Sequence, residues 1–289
     1  MKAESDGAAL NAATGTGRAS NLLDVEHISK SYASAGGAIK AVDDVSFSVD
    51  PSEFVSIIGP SGCGKSTLFN IIGGLIGDYG GRVAVAGTTV SGTHAAIGMV
   101  FQEESTFPWR TVVDNVAFPL ELTGMGRLER LERAESFVAL VGLHGFGHRY
   151  PAELSGGMRQ RVAIARTLAS EPRILLMDEP FAALDEQTRL LLGDKVLQIQ
   201  QQLRQTTLLI THNLTEAVQL SDRVLVMTYR PGRIKRIVTI DLPHPRDSEV
   251  VSSAAFGRYV AEIWQDLRDE ASRGIRDDES RVLRGEATK

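Results

Sequence analysis

Nine consecutive residues, 59–67, combine three glycines with a lysine and three hydroxyl side chains at a strand-to-helix turn. The glycines permit backbone conformations closed to other residues and can turn successive N–H groups inward as a nest for an anion. The helix that follows adds its positive end, Lys65 can reach β- and γ-phosphate oxygens, and the Ser66 hydroxyl can ligate Mg²⁺. A glycine-rich turn with a surface lysine is the alternative. This predicted phosphate-binding loop consists of Gly59, Pro60, Ser61, Gly62, Cys63, Gly64, Lys65, Ser66 and Thr67.

Two adjacent carboxylates, Asp178 and Glu179, follow the apolar run 174–177. Four apolar residues in that position are typical of a buried parallel strand, whose carboxyl end lies at the ligand edge of an open α/β sheet. Asp178 can hold Mg²⁺ through its water shell, and Glu179 can accept a proton from a water that attacks the γ-phosphate. A chance acidic pair after a strand is the alternative, but this pair follows a phosphate-binding loop in sequence order.

Polar residues also end two other strand-like runs. Gln102 follows residues 97–101, and an uncharged amide there can touch Mg²⁺ or the attacking water. His212 follows residues 207–211, where an imidazole can contact the γ-phosphate or orient the water. Both residues are therefore assigned to the same catalytic site as the acidic pair.

Two further candidates for nucleotide contact have ordinary structural alternatives. Ser155 is a good N-cap for the helix that follows it, and Gly156 and Gly157 leave the backbone N–H groups open to a phosphate. The alternative is a Ser-capped helix without a ligand. Tyr32 is a candidate platform for stacking of adenine, against the alternative of a tyrosine that packs under a hairpin.

Composition limits the partners of the chain. The formal net charge of -5 over 289 residues argues against general affinity for nucleic acid, which requires a basic field. The single cysteine, Cys63, excludes an intrachain disulfide, and it is either a small loop residue without chemical consequence or a thiol activated by the helix end. Residues 1–21 predict a disordered lead-in without a secretory signal, and the chain has no apolar run long enough to span a membrane.

The coarse pattern predicts a hairpin-rich start before the phosphate-binding loop and a helical insertion between residues 103 and 151. The aromatic segment 107–109 within this insertion is either a buried anchor or a surface for a partner. Apolar residues at helical spacing from Phe256 to Leu267 predict an amphipathic helix docked on the chain's own domain. The mixed charges beyond Arg268 predict disorder.

This ordered set of motifs resembles the ATP-binding subunits of ABC transporters. The most specific element is Leu154-Ser155-Gly156-Gly157, which lies between Gln102 and the acidic pair. The resemblance implies that ATP and Mg²⁺ bind, with Ser66, Gln102 and Asp178 at the metal. It also implies that Lys65, Gln102, Glu179 and His212 act in hydrolysis.

The resemblance further implies an α/β fold: a P-loop NTPase (RecA-like) core with an N-terminal antiparallel β subdomain and an inserted α-helical subdomain. The ATP-binding domain would span residues 22–246, with its helical subdomain at about 103–165. The lead-in 1–21 would precede it, and a C-terminal amphipathic helix with a charged tail, 247–289, would follow.

Members of the family work with partner proteins, and the resemblance implies similar partners for this chain. Two copies would sandwich two ATP molecules, with the Ser155 segment of one copy closing over the γ-phosphate held by Lys65 of the other. The helical insertion and the loop after Gln102 would receive a coupling helix from a membrane permease. The subunit would lie peripherally on the cytoplasmic side of the membrane, and an extracytoplasmic solute-binding protein would be an indirect partner.

Within the family, residues 107–112, 181–189 and 230–234 look like those of the nitrate/sulfonate/taurine importer type, although Ala182 stands where many members carry serine. A soluble ABC ATPase of DNA repair or translation is the alternative, which the acidic balance disfavours. A non-hydrolysing regulatory protein of the family would be expected to lack Glu179 or His212.

Overall fold

The computed structural model describes residues 21–34, 37–102, 105–244 and 246–283. Apart from Asn21, the predicted lead-in lies outside these ranges, as do residues 284–289 of the predicted charged tail. The strands are β1 (Leu23–Ser34), β2 (Gly37–Val49), β3 (Phe54–Ile58), β4 (Gly80–Val85), β5 (Thr88–Thr89), β6 (Ile97–Val100), β7 (Ile174–Asp178), β8 (Thr206–Ile210), β9 (Arg223–Met227) and β10 (Ile234–Thr239). The α-helices are α1 (Lys65–Ile72), α2 (Val112–Glu121), α3 (Arg127–Leu140), α4 (Gly156–Ala169), α5 (Glu186–Leu203), α6 (Leu214–Leu220) and α7 (Ala254–Leu283). Short 3-10 helices span Pro151–Glu153 and Ser248–Ser252.

The hairpin-rich start forms an antiparallel sheet in the order β2-β1-β4-β5. Along the end of β2 the apolar residues Val45, Phe47 and Val49 are buried, while the residues between them are more exposed. This alternation is what an antiparallel sheet with one covered face requires. The sheet packs its apolar face against α1 in a shared core.

The second sheet has the order β10-β9-β3-β8-β7-β6, and only β10 at its edge runs antiparallel to its neighbour. All residues of β3 and β8 are buried, since helices or the first sheet cover both faces. Alternate residues of β7 enter two different cores, one with α1 and one with α4 and α5. The carboxyl ends of β3, β6, β7 and β8 therefore meet at one edge.

The predicted helical insertion contains α2 and α3, which pack on α4 through Val116, Val138 and Val162. The proposed boundary of this subdomain at residue 165 falls inside α4, which continues to Ala169. In the aromatic segment 107–109, one residue fits the alternative of a buried anchor and another fits the alternative of a surface for a partner. Phe107 is half-buried against Phe118, with ring centroids 4.8 Å apart, whereas Trp109 is 72% exposed.

The expected disorder beyond Arg268 is wrong for residues 269–283, because α7 continues to Leu283. Phe256, Ile263 and Leu267 are buried in a core with α6, β9 and β10, as predicted for a helix docked on its own domain. The continuation has its own anchor, the buried Glu270. Its carboxylate accepts from a backbone N–H of the β9–β10 turn and pairs with Lys235. Among the helices of the described ranges, none is long and apolar enough to cross a membrane.

A buried amide fixes the start of the helical insertion. The Asn115 Oδ1 accepts from the Phe107 backbone N–H at 2.8 Å, and its Nδ2 donates to the Phe107 and Thr111 carbonyl oxygens at 3.1 and 2.9 Å. The Asn115 side chain is fully buried, so water cannot replace these partners when the amide is removed.

We expect Asn115→Ala to lower the free energy of unfolding by about 2–3 kcal/mol, because it leaves buried backbone groups without partners. Urea unfolding of the full chain measures this. The control Glu129→Ala, at an exposed position of α3, is expected to stay within about 0.5 kcal/mol of the wild type. Equal stability of the two variants would contradict the assigned role of Asn115.

Candidate functional site

A cavity of about 550 Å³ opens at the carboxyl edge of the parallel sheet. The predicted site residues that line it are Tyr32, Ser61, Gly62, Gly64, Lys65, Ser66, Thr67, Gln102 and Glu179. Those that do not line it are Gly59, Pro60, Cys63, Asp178, His212, Ser155, Gly156 and Gly157. The structure therefore brings together residues from the antiparallel sheet, the phosphate-binding loop and the ends of β6 and β7.

The phosphate-binding loop owes its shape to glycine at two positions. Gly62 and Gly64 have φ angles of 71° and 101°, in the left-handed region that strains other residues. A Cβ on Gly64 would also lie 2.6 Å from the Ala41 carbonyl oxygen. The loop and β2 are thus in direct backbone contact, and the helix α1 begins immediately after it at Lys65.

Lys65 lies folded over this loop and is only 8% exposed. Its Nζ donates to the carbonyl oxygens of Gly59 at 2.8 Å and Pro60 at 3.0 Å. In this arrangement the ammonium group is held at the cavity wall and has no carboxylate partner among the described residues. An anion in the cavity would supply the missing negative charge.

The Cys63 thiol faces the core rather than the cavity. It is fully buried, and burial raises its pKa above the usual range despite the nearby Lys65 charge. The neutral thiol is therefore the favoured form, and the alternative of an activated thiolate is not supported. Only the backbone of Cys63 is left to contact a ligand.

One oxygen of the Asp178 carboxylate lacks a hydrogen-bond partner. Burial raises its pKa, with a smaller upward contribution from Glu179, while the Ser66 hydroxyl and the Lys65 charge oppose the rise. Its Oδ1 is buried without a hydrogen-bond partner. An unsatisfied carboxylate oxygen beside a hydroxyl fits the needs of Mg²⁺, which takes one or two protein ligands and completes its shell with water and phosphate oxygens.

Glu179 occupies a strained backbone position at the end of β7. Its φ angle is 46°, and its N–H donates to the Ile210 carbonyl oxygen at 2.9 Å. The Glu179 Oε2 lies 3.0 Å from the His212 Nδ1. The strand pairing of β7 with β8 thus places the acid and the imidazole side by side, as their positions after neighbouring strands predict.

Tyr32 is far from the acidic pair in the sequence, yet it lines the same cavity as Glu179. Its ring is partly exposed, its hydroxyl lies 3.4 Å from the Thr67 Oγ1, and the Lys30 Nζ lies 5.0 Å from the ring centroid. An exposed ring face at the rim of a phosphate site is suited to stacking on a base.

The Ser155 segment lies outside the cavity in the single chain. Ser155 is exposed and caps α4, accepting from the Met158 N–H at 3.3 Å. Gly157 packs closely, since a Cβ there would lie 2.9 Å from the Thr188 Cγ2. The predicted Ser-capped helix end is present, and any phosphate that it contacts must come from outside this chain's own cavity.

Sequence reasoning missed three residues that line the cavity: Ile39, Ala41 and Arg230. Ile39 and Ala41 belong to β2, whose alternating pattern marks only the core-facing positions. Arg230 follows β9, and its place at the cavity is identified only by the strand order of the sheet. Because β9 pairs in parallel with β3, its carboxyl end lies beside the phosphate-binding loop.

The comparisons with known proteins agree with this geometry. The ABC transporter family model matches residues 42–182. The uncharacterized ABC transporter ATP-binding protein MJ0412 of Methanocaldococcus jannaschii is 50% identical over 254 residues, covering 88% of this chain and 94% of that protein. This chain belongs to the ABC transporter ATP-binding family. Its predicted family is confirmed, and it is an ATP-binding, ATP-hydrolysing subunit.

Other relatives are named for particular solutes. The nitrate import ATP-binding protein NrtD of Synechocystis is 42% identical, covering 85% of this chain and 95% of that protein. The aliphatic sulfonates import ATP-binding protein SsuB of Bacillus cereus is 40% identical, with coverages of 84% and 96%. A solved dimer of the ATP-binding cassette MJ0796, bound to ADP and Pi, has a TM-score of 0.68 and 31% identity, covering 77% of this chain and all of that one. The predicted P-loop NTPase fold is confirmed.

The raised pKa of Asp178 gives a pH-dependent prediction for the nucleotide-free protein. The Asp178 carboxyl keeps its proton to a higher pH in the folded state than in the unfolded state. The free energy of unfolding therefore falls as pH rises from the unfolded-state pKa to the folded-state pKa. We expect Asp178→Asn to raise the melting temperature by about 2–4 °C at pH 8, with the gain narrowing as pH falls towards 4. Differential scanning fluorimetry measures both.

The matched control is Asp269→Asn, at an exposed position of α7. This substitution removes the same charge without relieving burial, so its melting temperature is expected to follow the wild type at each pH. If Asp178→Asn melts below the wild type at pH 8, the ionised Asp178 carboxylate does not destabilise the nucleotide-free protein.

Proposed function

We propose that this chain powers solute import by binding and hydrolysing ATP in the cavity at the carboxyl edge of the parallel sheet. The observation that carries the proposal is the convergence of Lys65, Gln102 and Glu179 on one cavity, with Asp178 hydrogen-bonded to Ser66, which also lines it. These residues come from distant parts of the chain and supply the parts that phosphoryl transfer needs: a polyphosphate cradle, a metal ligand and a base.

The proposed binding mode follows the geometry. The adenine stacks on Tyr32, and the phosphates lie along the loop 59–67, with Lys65 at the β- and γ-phosphates. Ser66, Asp178 and Gln102 hold Mg²⁺, which neutralises charge on the phosphate oxygens when it is bound. Catalysis then depends on positioning and charge stabilisation rather than on covalent chemistry.

Glu179 acts in this proposal as the general base. Its carboxylate lines the cavity, where it can accept a proton from the attacking water, and its contact with His212 orients it. His212 in turn is assigned to the γ-phosphate. Its side chain is 60% exposed, so it can turn towards a bound nucleotide without unpacking the core.

The remaining partner assignments rest on the family. The exposed Ser155 end of α4 is proposed to close over ATP held by a second copy, because it lies outside the cavity of its own chain. The exposed Trp109 and the helical insertion are proposed to meet a membrane permease that works with a solute-binding protein. The subunit then lies peripherally on the cytoplasmic side of the membrane. The NrtD and SsuB relatives support a small anion such as nitrate or a sulfonate as the solute.

We expect Glu179→Gln to bind ATP with an affinity close to that of the wild type but to hydrolyse it at least ~100-fold more slowly, because the amide cannot accept the proton. Phosphate release under saturating ATP and a binding titration measure the two effects separately. The control Glu132→Gln, at an exposed position of α3, is expected to keep wild-type turnover. Near-normal turnover of Glu179→Gln would overturn the assignment of the base.

The import proposal is tested by co-purification of the tagged full-length chain from gently solubilised native membranes. We expect a permease in stoichiometric amount, with two copies of each subunit, and the solute-binding protein encoded with it identifies the solute. A chain recovered only from the soluble fraction, alone or with nucleic-acid machinery, would leave the ATPase site standing and overturn import.

A further inference from the structure

Arg230 is a cation at the cavity wall that the proposed binding mode leaves unused. Its guanidinium lines the cavity and donates from Nε and Nη2 to the Gly62 carbonyl oxygen at 3.3 and 3.2 Å. Within the part of the chain that the structure describes, no carboxylate pairs with it. The nearby Arg233, by contrast, pairs with Asp43, which also pairs with Lys40. Arg230 therefore presents unbalanced positive charge beside the loop that cradles phosphates.

The turn that carries Arg230 is fixed against both the phosphate-binding loop and β2. The Gly232 N–H donates to the Ala41 carbonyl oxygen, and the Asp43 N–H donates to the Gly232 carbonyl oxygen, each at 2.9 Å. A Cβ on Gly232 would lie 2.1 Å from the Cys63 carbonyl oxygen. The turn and the loop thus touch backbone to backbone, so a displacement of one must displace the other.

The C-terminal helix α7 holds the same turn from its other side. The Glu270 Oε2 accepts from the Tyr229 N–H at 3.0 Å, and its Oε1 lies 3.2 Å from the Lys235 Nζ. Glu270 is only 2% exposed. One helical turn further on, Gly274 lies against the Tyr229 ring, since a Cβ there would be 2.9 Å from its Cε2. The residue next to Arg230 is therefore clamped by α7.

We propose that Arg230 binds the phosphates of the nucleotide and that Glu270, acting through Tyr229, positions it for that contact. A guanidinium is the side chain best suited to a phosphate group, because its fixed fork donates two hydrogen bonds at once. The Gly62 carbonyl orients the guanidinium from the loop side, and α7 orients the backbone that carries it. The inference rests on the proposed location of ATP in this cavity.

The first test compares ATP affinity of the full chain and of Arg230→Gln by fluorescent-nucleotide displacement in the presence of Mg²⁺. We expect Arg230→Gln to weaken ATP binding about 5- to 20-fold, as loss of a charge-assisted contact does. The deficit should shrink at about 0.5 M salt, because ionic strength screens the guanidinium charge. Arg230→Lys, which keeps the charge but not the fork, should recover part of the affinity.

The positioning role of Glu270 is tested by a pair of variants. Glu270→Ala removes the acceptor of the Tyr229 N–H and should raise the KM for ATP about 3- to 10-fold, with kcat changed less than about twofold. Glu270→Gln keeps an acceptor oxygen and should restore the KM. Glu262→Ala, which removes the exposed partner of Arg236 on the same helix, is the control and should leave the KM unchanged.

The double variant Arg230→Gln with Glu270→Ala decides whether the two residues act through one contact. If Glu270 works only by placing Arg230, the double variant should lose no more ATP affinity than Arg230→Gln alone. Fully additive losses would overturn the positioning role and leave the phosphate contact of Arg230 in place.

Lys65→Ala separates failure of this inference from failure of the underlying proposal. If Lys65→Ala loses ATP binding while Arg230→Gln binds as the wild type does, the contact of Arg230 with phosphate is overturned and the cavity remains the ATP site. If Lys65→Ala itself binds ATP normally, ATP does not lie in this cavity, and both proposals fail.

Discussion

The parallel pairing of β3, β7 and β8 is the constraint on which the rest of the site depends. Val55 pairs with Leu208 and Leu176 pairs with the same residue, so the three strands end at one level of the sheet. The phosphate-binding loop, the acidic pair and His212 meet there although they are far apart in the chain. A slip of β7 by one residue would turn each β7 side chain, including Asp178, to the face of the sheet opposite to its present one, because side chains alternate along a strand.

Several groups in the nucleotide-free site have energetically unfavourable surroundings, and the packing of the hydrophobic cores around the site keeps them in place. Asp178 has a buried oxygen without a partner, Glu179 has a left-handed backbone conformation, and Lys65 is buried against carbonyl oxygens. A metal–nucleotide complex would supply opposite charge to Asp178 and Lys65, whereas the backbone strain at Glu179 is sustained by the fold itself. The same pattern extends to Arg230, whose charge has no carboxylate partner among the described residues because the turn and α7 hold it at the cavity.

Much of the site could be predicted from the sequence because its signals are local. Gly62 and Gly64 indicate a left-handed backbone conformation because glycine has no Cβ that would clash there. Asp178 and Glu179 indicate a strand end because they follow four apolar residues. The family resemblance also predicted the fold class, and the position of Gln102 after a strand-like run predicted its place in the site, where it lines the cavity. These inferences needed no knowledge of which distant segments touch, beyond the rule that parallel strands end at one edge.

Sequence alone determined which residues are available for the site, namely the glycine-rich loop 59–67 and the adjacent carboxylates Asp178 and Glu179, and it predicted their roles. Only the tertiary structure decided that Phe107 is half-buried while Trp109 is exposed, that Cys63 faces the core, and that α7 continues past residue 268. It also decided that Arg230 reaches the loop. These outcomes depend on long-range partners, such as the contact of Glu270 with the β9–β10 turn. Local sequence encodes the conformation of a segment, whereas burial and charge pairing depend on the other segment that packs against it.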